Sequence, residues 1–231
     1  NGKADEAYRQ YAEVLQAEPE NTNARMSMID YYRTTKQPLR ADSLQEALLV
    51  STKTPTDSKI VLIRQAVAES EQQGGDSSKV LNLFRKILAQ PQETSDMAEL
   101  YAAYMTLKKM PQDSISKVLE TVLAISPDNA GARLQLIQAE WGEQDFDRVA
   151  ELSRQAIDYN PDELAFYYFL GLAYVQKDDD DSALDALRRG VSQITKQSNK
   201  DLVSDFYAIM GDILHDKGLA EEAYAAYDSC L

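Results

Sequence analysis

The chain carries one histidine, His215, and one cysteine, Cys230. A zinc or acid–base site of the usual kind would need further His or Cys side chains beside them, and the sequence has none. His215 is therefore read as facing solvent or a groove. Cys230, with no His, Lys or Arg next to it in sequence, is read as a small packing residue. Four aspartates in a row, "DDDD" at 178–181, would offer oxygen ligands to calcium. They lack the alternating ligands, turn glycine and distant Glu of an EF-hand loop. Aspartates at a helix start are favoured by capping and by the helix dipole, and that is the reading here. "GGDSSK" at 74–79 departs from the GxxxxGK[ST] phosphate loop, and no strand precedes it. It reads as a helix break in which Gly74 and Gly75 end one helix and Asp76 or Ser77 caps the next. With no triad, paired-carboxylate cleft or cofactor fingerprint, the expectation is a chain without catalytic residues, metal or cofactor.

Composition narrows the class further. The 231 residues are 44% hydrophobic and 27% charged, proportions that suit one large domain or an elongated array. The net charge of −14 is uneven: residues 128–231 hold nine Lys/Arg against twenty-one Asp/Glu. Such a surface repels phosphate backbones, so nucleic acid is not an expected partner. It reads either as a solvated acidic face or as a surface suited to a basic partner. The apolar run Leu164 to Val175 is shorter than the ~20 residues a membrane span requires, so no membrane insertion is expected within this chain. A lone cysteine rules out an internal disulfide, which suits the cytoplasm and equally a bacterial envelope compartment. The first residue is Asn1, and a signal peptide or lipid-attachment segment removed ahead of it would leave no trace.

The prolines set the architecture. Pro19, Pro55, Pro91, Pro127 and Pro161 are separated by 36, 36, 36 and 34 residues, a period that signals stacked repeats. In "LQAEPEN", "LAISPDN" and "AIDYNPDE" the proline lies just past an amphipathic run and is followed by Asp, Asn or Glu. Proline cannot continue a helix, and the polar residue after it can cap the next one. Shorter breaks lie between the prolines, and Pro38 and Pro111 fall in two of them. The spacing predicts an all-α chain: an unpaired helix near 3–17, then helix pairs near 22–52, 57–90, 94–125, 129–158, 162–195 and 201–231. No alternating strand pattern is present.

Tyr167, Leu170, Gly171, Tyr174, Ala183 and Leu187 follow the spacing W-x2-L-G-x2-Y…A-x3-F with conservative substitutions, and Tyr207, Met210, Gly211, Leu214, Gly218, Ala223 and Tyr227 repeat it. Ala7, Tyr11, Val14, Leu15 and Pro19 supply the second half of another unit. The chain thus resembles a tetratricopeptide repeat (TPR) protein, of a bacterial kind by its acidic, Tyr-rich character. That resemblance implies a right-handed α-solenoid of antiparallel helix pairs over residues 1–231, read as a piece of a longer array. It also carries a lean toward the cell envelope, periplasmic or lipid-anchored, with the cytoplasm as alternative.

The same resemblance implies a concave groove lined by the first helix of each pair. Leu100, Tyr104 and Leu107 would face it from the third pair, and Leu134, Gln138 and Trp141 from the fourth. Ala165, Tyr168, Leu172 and Val175 would follow from the fifth, with Asp205, Asp212 and His215 from the last and Met26, Asp30 and Arg33 from the first. The middle of that groove reads apolar and aromatic, which suits a protein or peptide partner. It holds no cation cluster of the kind that clamps a C-terminal carboxylate. Expected contacts are Leu100, Tyr104, Leu134, Gln138, Trp141, Tyr168, Leu172, Asp205 and Asp212. The alternative reading is a structural module that self-associates, a homo-oligomer built through its ends or convex face.

Overall fold

The computed structural model describes residues 2–72, 74 and 77–230. The described residues form thirteen α-helices and no strand. They fall into two compact units, Asn1–Met110 and Pro111–Leu231. Unit 1 holds α1 (Gly2–Ala17), α2 (Thr22–Thr34), α3 (Pro38–Val50), α4 (Thr56–Gln72), α5 (Ser78–Leu88) and α6 (Asp96–Leu107). Unit 2 holds α7 (Gln112–Ile125), α8 (Ala130–Gly142), α9 (Phe146–Tyr159), α10 (Leu164–Val175), α11 (Asp180–Val191), α12 (Lys200–Asp216) and α13 (Ala220–Asp228). Consecutive helices pack on one another within each unit, as short connections between antiparallel neighbours require. The fold is all-α and TPR-like, with helix hairpins stacked at the spacing that the prolines mark.

Local chemistry explains the starts of these helices. Two residues after Pro19, Pro127 and Pro161, the side chains of Asn21, Asn129 and Glu163 accept from the backbone N–H of Ala24, Ala132 and Ala165, satisfying donors that a helix start leaves unpaired. The aspartate run divides its labour in the same way. Asp179 accepts from Ser182 N–H, Asp180 and Asp181 occupy the first turn of α11, and Asp181 binds Lys217. Within "GGDSSK", Gly75 and Asp76 lie outside the described residues. Gly74 has a φ of 102°, and Ser77 precedes α5 without a side-chain cap bond.

Five of the helix ends follow one rule. After α2, α6, α8, α10 and α12 stands a left-handed residue, respectively Lys36, Lys109, Gln144, Asp178 and Gly218. The N–H just beyond each bonds the carbonyl five residues back: Gln37 to Tyr32, Met110 to Met105, Asp145 to Glu140, Asp179 to Tyr174 and Leu219 to Leu214. This is the Schellman closure, which satisfies orphan carbonyls and turns the chain sharply into the next helix. Only one of the five uses glycine, the residue best suited to that conformation.

Packing then accounts for the apolar helix α10. It touches α8, α9, α11 and α12, and Leu164, Phe166, Tyr167, Leu170, Gly171 and Ala173 are buried there. A helix apolar on all sides is one surrounded by protein. No described helix is long and apolar enough to cross a membrane. Gly171 permits the close crossing with α11, since a Cβ there would stand 2.7 Å from the Leu187 side chain. Gly190 does the same where α11 meets α10, with Tyr167 Cβ only 2.8 Å from where its own Cβ would be. The Tyr167 hydroxyl donates to the Pro161 carbonyl at 2.8 Å, which ties this helix to the proline turn before it.

Candidate functional site

In unit 2 the first helices of three hairpins adjoin, because α10 contacts both α8 and α12. Leu134, Gln138 and Trp141 lie at i, i+4 and i+7 on α8, and so share one face. Leu134 and Trp141 are half-buried and Gln138 is exposed. Tyr168 and Leu172, both half-buried, lie one turn apart on α10, with half-buried Ala165 and Val175 on either side. Asp205 and Asp212 are exposed on α12.

The rings join these helices into one strip. Phe146 meets Trp141 at 5.1 Å between centroids, and Trp141 meets Phe169 at 6.1 Å. Phe169 lies 5.9 Å from Tyr168, and Tyr168 lies 5.8 Å from Phe206. The separations and steep interplanar angles fit edge-to-face and tilted packing, which aromatic quadrupoles favour. Phe206 is fully buried and backs the strip, while the other four rings are half-buried. A half-buried ring on a packed helix offers rigid apolar area at low entropic cost, with a polar handle in the case of Tyr and Trp.

Acid borders one end of the strip. Burial, and secondly the Asp205 carboxylate, hold the Tyr168 hydroxyl above its ordinary pKa. Asp212 accepts a 2.7 Å hydrogen bond from the Tyr227 hydroxyl. That bond is the largest of the causes that push Tyr227 up to about 12. His215 is exposed beside Asp216. Cys230 packs back on α12, where its thiol meets the Ser204 carbonyl at 3.5 Å. Among the described residues, no group of three His, Cys, Asp or Glu side chains converges as metal ligands.

Unit 1 places the remaining candidates differently. Leu100 is half-buried, whereas Tyr104, expected at a groove surface, is only 4% exposed. Its ring packs 6.0 Å from Phe84, and its hydroxyl reaches Glu71 at 3.3 Å, so core packing absorbs it. Leu107 is exposed, Met26 is half-buried and Asp30 is exposed. Arg33 is held by Gln45 and Glu69. It lines a cavity of about 630 Å³ with Lys79 and Asp42, and those two are themselves paired at 2.6 Å.

Two members of the strip lay outside the sequence expectation, Phe146 and Phe169. Phe146 directly follows the cap Asp145, in a first turn whose side chains lean back over the preceding segment. Phe169 was hidden in the apolar run around it.

No protein-family model matches the sequence, and no curated protein matches it either. Solved structures do. A MamA crystal structure superimposes with a TM-score of 0.55 at 19% identity, over 73% of this chain and 88% of that one. A MamA double mutant from RS-1 gives 0.54 at 13% identity, over 74% and 91%. MamA from Desulfovibrio magneticus RS-1 gives 0.52 at 13% identity, over 74% and 92%. The likeness is one of fold. It places the chain among TPR-like helical proteins by architecture, and the chemistry of the strip is this sequence's own.

Proposed function

We propose that the chain is a non-enzymatic protein-interaction scaffold that binds a peptide or protein segment on the strip of unit 2. Leu134, Trp141, Tyr168 and Leu172 supply the apolar contacts, Gln138 a polar one, and Asp205 and Asp212 the charged border. The observation that carries this reading is the run of four half-buried rings across α9, α8 and α10. Contiguous apolar surface that stays partly accessible suits an interaction site, and aromatic anchors dominate the energetics of such sites. The MamA-like fold supports a scaffold role without naming what is bound. Of the two expected contacts in unit 1, Leu100 remains partly accessible and Tyr104 is buried.

Peptides selected from a displayed random library against the whole chain test this reading, with hydrogen exchange of the complex locating them. Protection concentrated on α8 and α10 is the expected result. Binders that protect only α9, α11 and α13, or no binders at all, would contradict it.

A second reading rests on a separate observation. Tyr224 on α13 is 76% exposed, a large apolar side chain free to meet another copy of the chain. Sedimentation across a tenfold concentration range checks it, since self-association shifts with concentration and is reduced by Tyr224→Ser.

A further inference from the structure

The Lys and Arg side chains of unit 2 are largely engaged within the fold, and the acids there outnumber them. In unit 2, Lys177 binds Asp147, Lys217 binds Asp181, Arg188 binds Glu222 and Arg148 binds Glu151. Arg154 donates to the Tyr174 hydroxyl, and Arg133 is buried over the Tyr159 ring. These interactions use most of the nine Lys/Arg in residues 128–231.

Against that background α12 carries Asp201, Asp205, Asp212 and Asp216 at intervals of four, seven and four residues. That spacing sets all four on one helix face, and all four are exposed. Among the described residues, neither Asp201 nor Asp205 has a Lys or Arg within ion-pair distance. Asp205 immediately precedes Phe206, whose ring lies 5.8 Å from that of Tyr168. Unpaired acid therefore lies directly beside the aromatic strip, one helix over.

We infer that the segment bound by the strip presents an apolar anchor side chain to Trp141, Phe169, Tyr168 and Leu172, and a Lys or Arg about one helix spacing away to Asp205 and Asp201. This inference rests on the proposed groove function and adds the partner's chemistry to it. Neighbouring helix axes are about 8–10 Å apart, and an extended chain advances about 3.3 Å per residue. The basic residue thus stands about three positions from the anchor if the segment is extended. Complementary charge gives such a complex its register and speeds encounter, and it rejects acidic competitors.

Trp141, the single tryptophan of the chain, provides the readout. The probes are two Trp-free eight-residue peptides with a central Phe, one with Lys and the other with Glu at the third residue on either side. Titrated against the whole chain, the Lys peptide is expected to bind on the order of tenfold or more tightly than the Glu peptide, with a preference that fades as salt rises. Asp201→Lys combined with Asp205→Lys changes only exposed side chains, and in that variant, with helicity checked by circular dichroism, the preference inverts. Equal binding of both peptides, lost together in Tyr168→Glu, would overturn the charge inference and leave the groove standing. A Lys preference that survives the double reversal would also overturn it. Binding by neither peptide, with Trp141 fluorescence unmoved, would overturn the inference and the groove reading together.

Discussion

Lys217 Nζ lies 2.8 Å from Asp181 Oδ1, and the two residues are 36 positions apart in sequence. The interval is that of the repeat, and it recurs. Arg33 and Glu69 are also separated by 36 residues, and Lys79 with Asp42, like Lys108 with Glu71, by 37. Stacked hairpins place equivalent helix positions side by side, so an acid and a base about one period apart become neighbours. The period that spaces the prolines spaces these four ion pairs too.

The Lys217–Asp181 and Lys177–Asp147 clips are exposed, and exposed ion pairs contribute little singly because water and salt screen them. Lys217→Met is therefore expected to lower Tm slightly, and Lys177→Met with Lys217→Met to lower it by the sum. The deficit should shrink in high salt. Thermal melts at two ionic strengths check this; collapse of unit 2 from a single change, or a deficit indifferent to salt, would contradict it.

Gln144 closes α8 in the left-handed conformation with φ 61°. A non-glycine residue there costs about 1–2 kcal/mol, while glycine brings a greater loss of freedom on folding of about 0.5–1 kcal/mol. Gln144→Gly should thus stabilise the protein by about 0.5–1 kcal/mol, read by denaturant unfolding. A loss of stability would mean that the Gln144 side chain holds the turn.

Gly190→Ala should act in the opposite direction. Alanine is the better helix former by about 1 kcal/mol. Its methyl, however, would meet Tyr167 Cβ and the buried Phe206 ring. Tyr167 Cβ is fixed to its own backbone and cannot rotate away, so overpacking of about 1–3 kcal/mol governs the outcome. A net loss of about 1–2 kcal/mol is expected. Unchanged stability would show that α11 can shift off α10.

Tyr227 supplies a pH test. Its hydroxyl is raised from 10.0 to about 12, first by the hydrogen bond to Asp212. The folded state therefore favours the protonated phenol. The stability linked to this group is complete below pH 10 and is lost as pH rises through about 12. Carbon-13 tyrosine NMR should find Tyr227 titrating late, and Asp212→Asn should move it down toward 10. An unmoved Tyr227 in that variant would contradict the hydrogen-bond cause.

The fold was legible because its signals are local. Proline stops and the acidic and Asn caps that follow them each act within a few residues. The strip was legible only in part. Tyr168, Leu172 and Trp141 were reached through repeat offsets, but "LAFYYFLGLAYV" in α10 contains no charged residue to mark a wet face. Periodicity could not separate the buried Tyr167 from the half-buried Tyr168 and Phe169. Tyr104 occupies a groove offset too, yet Phe84 draws it into the core. Which ring a neighbouring helix covers is decided by its partner's side chains, and a helix's own sequence does not record them.

The central claim is that unit 2 binds through its aromatic strip. Its most direct test is the affinity of a selected peptide for wild type and for Tyr168→Glu, measured by calorimetry with circular dichroism alongside. The account predicts that the variant keeps wild-type helicity and loses binding. Unaltered affinity in a fully helical Tyr168→Glu would contradict it and move the interaction to another face of the stack.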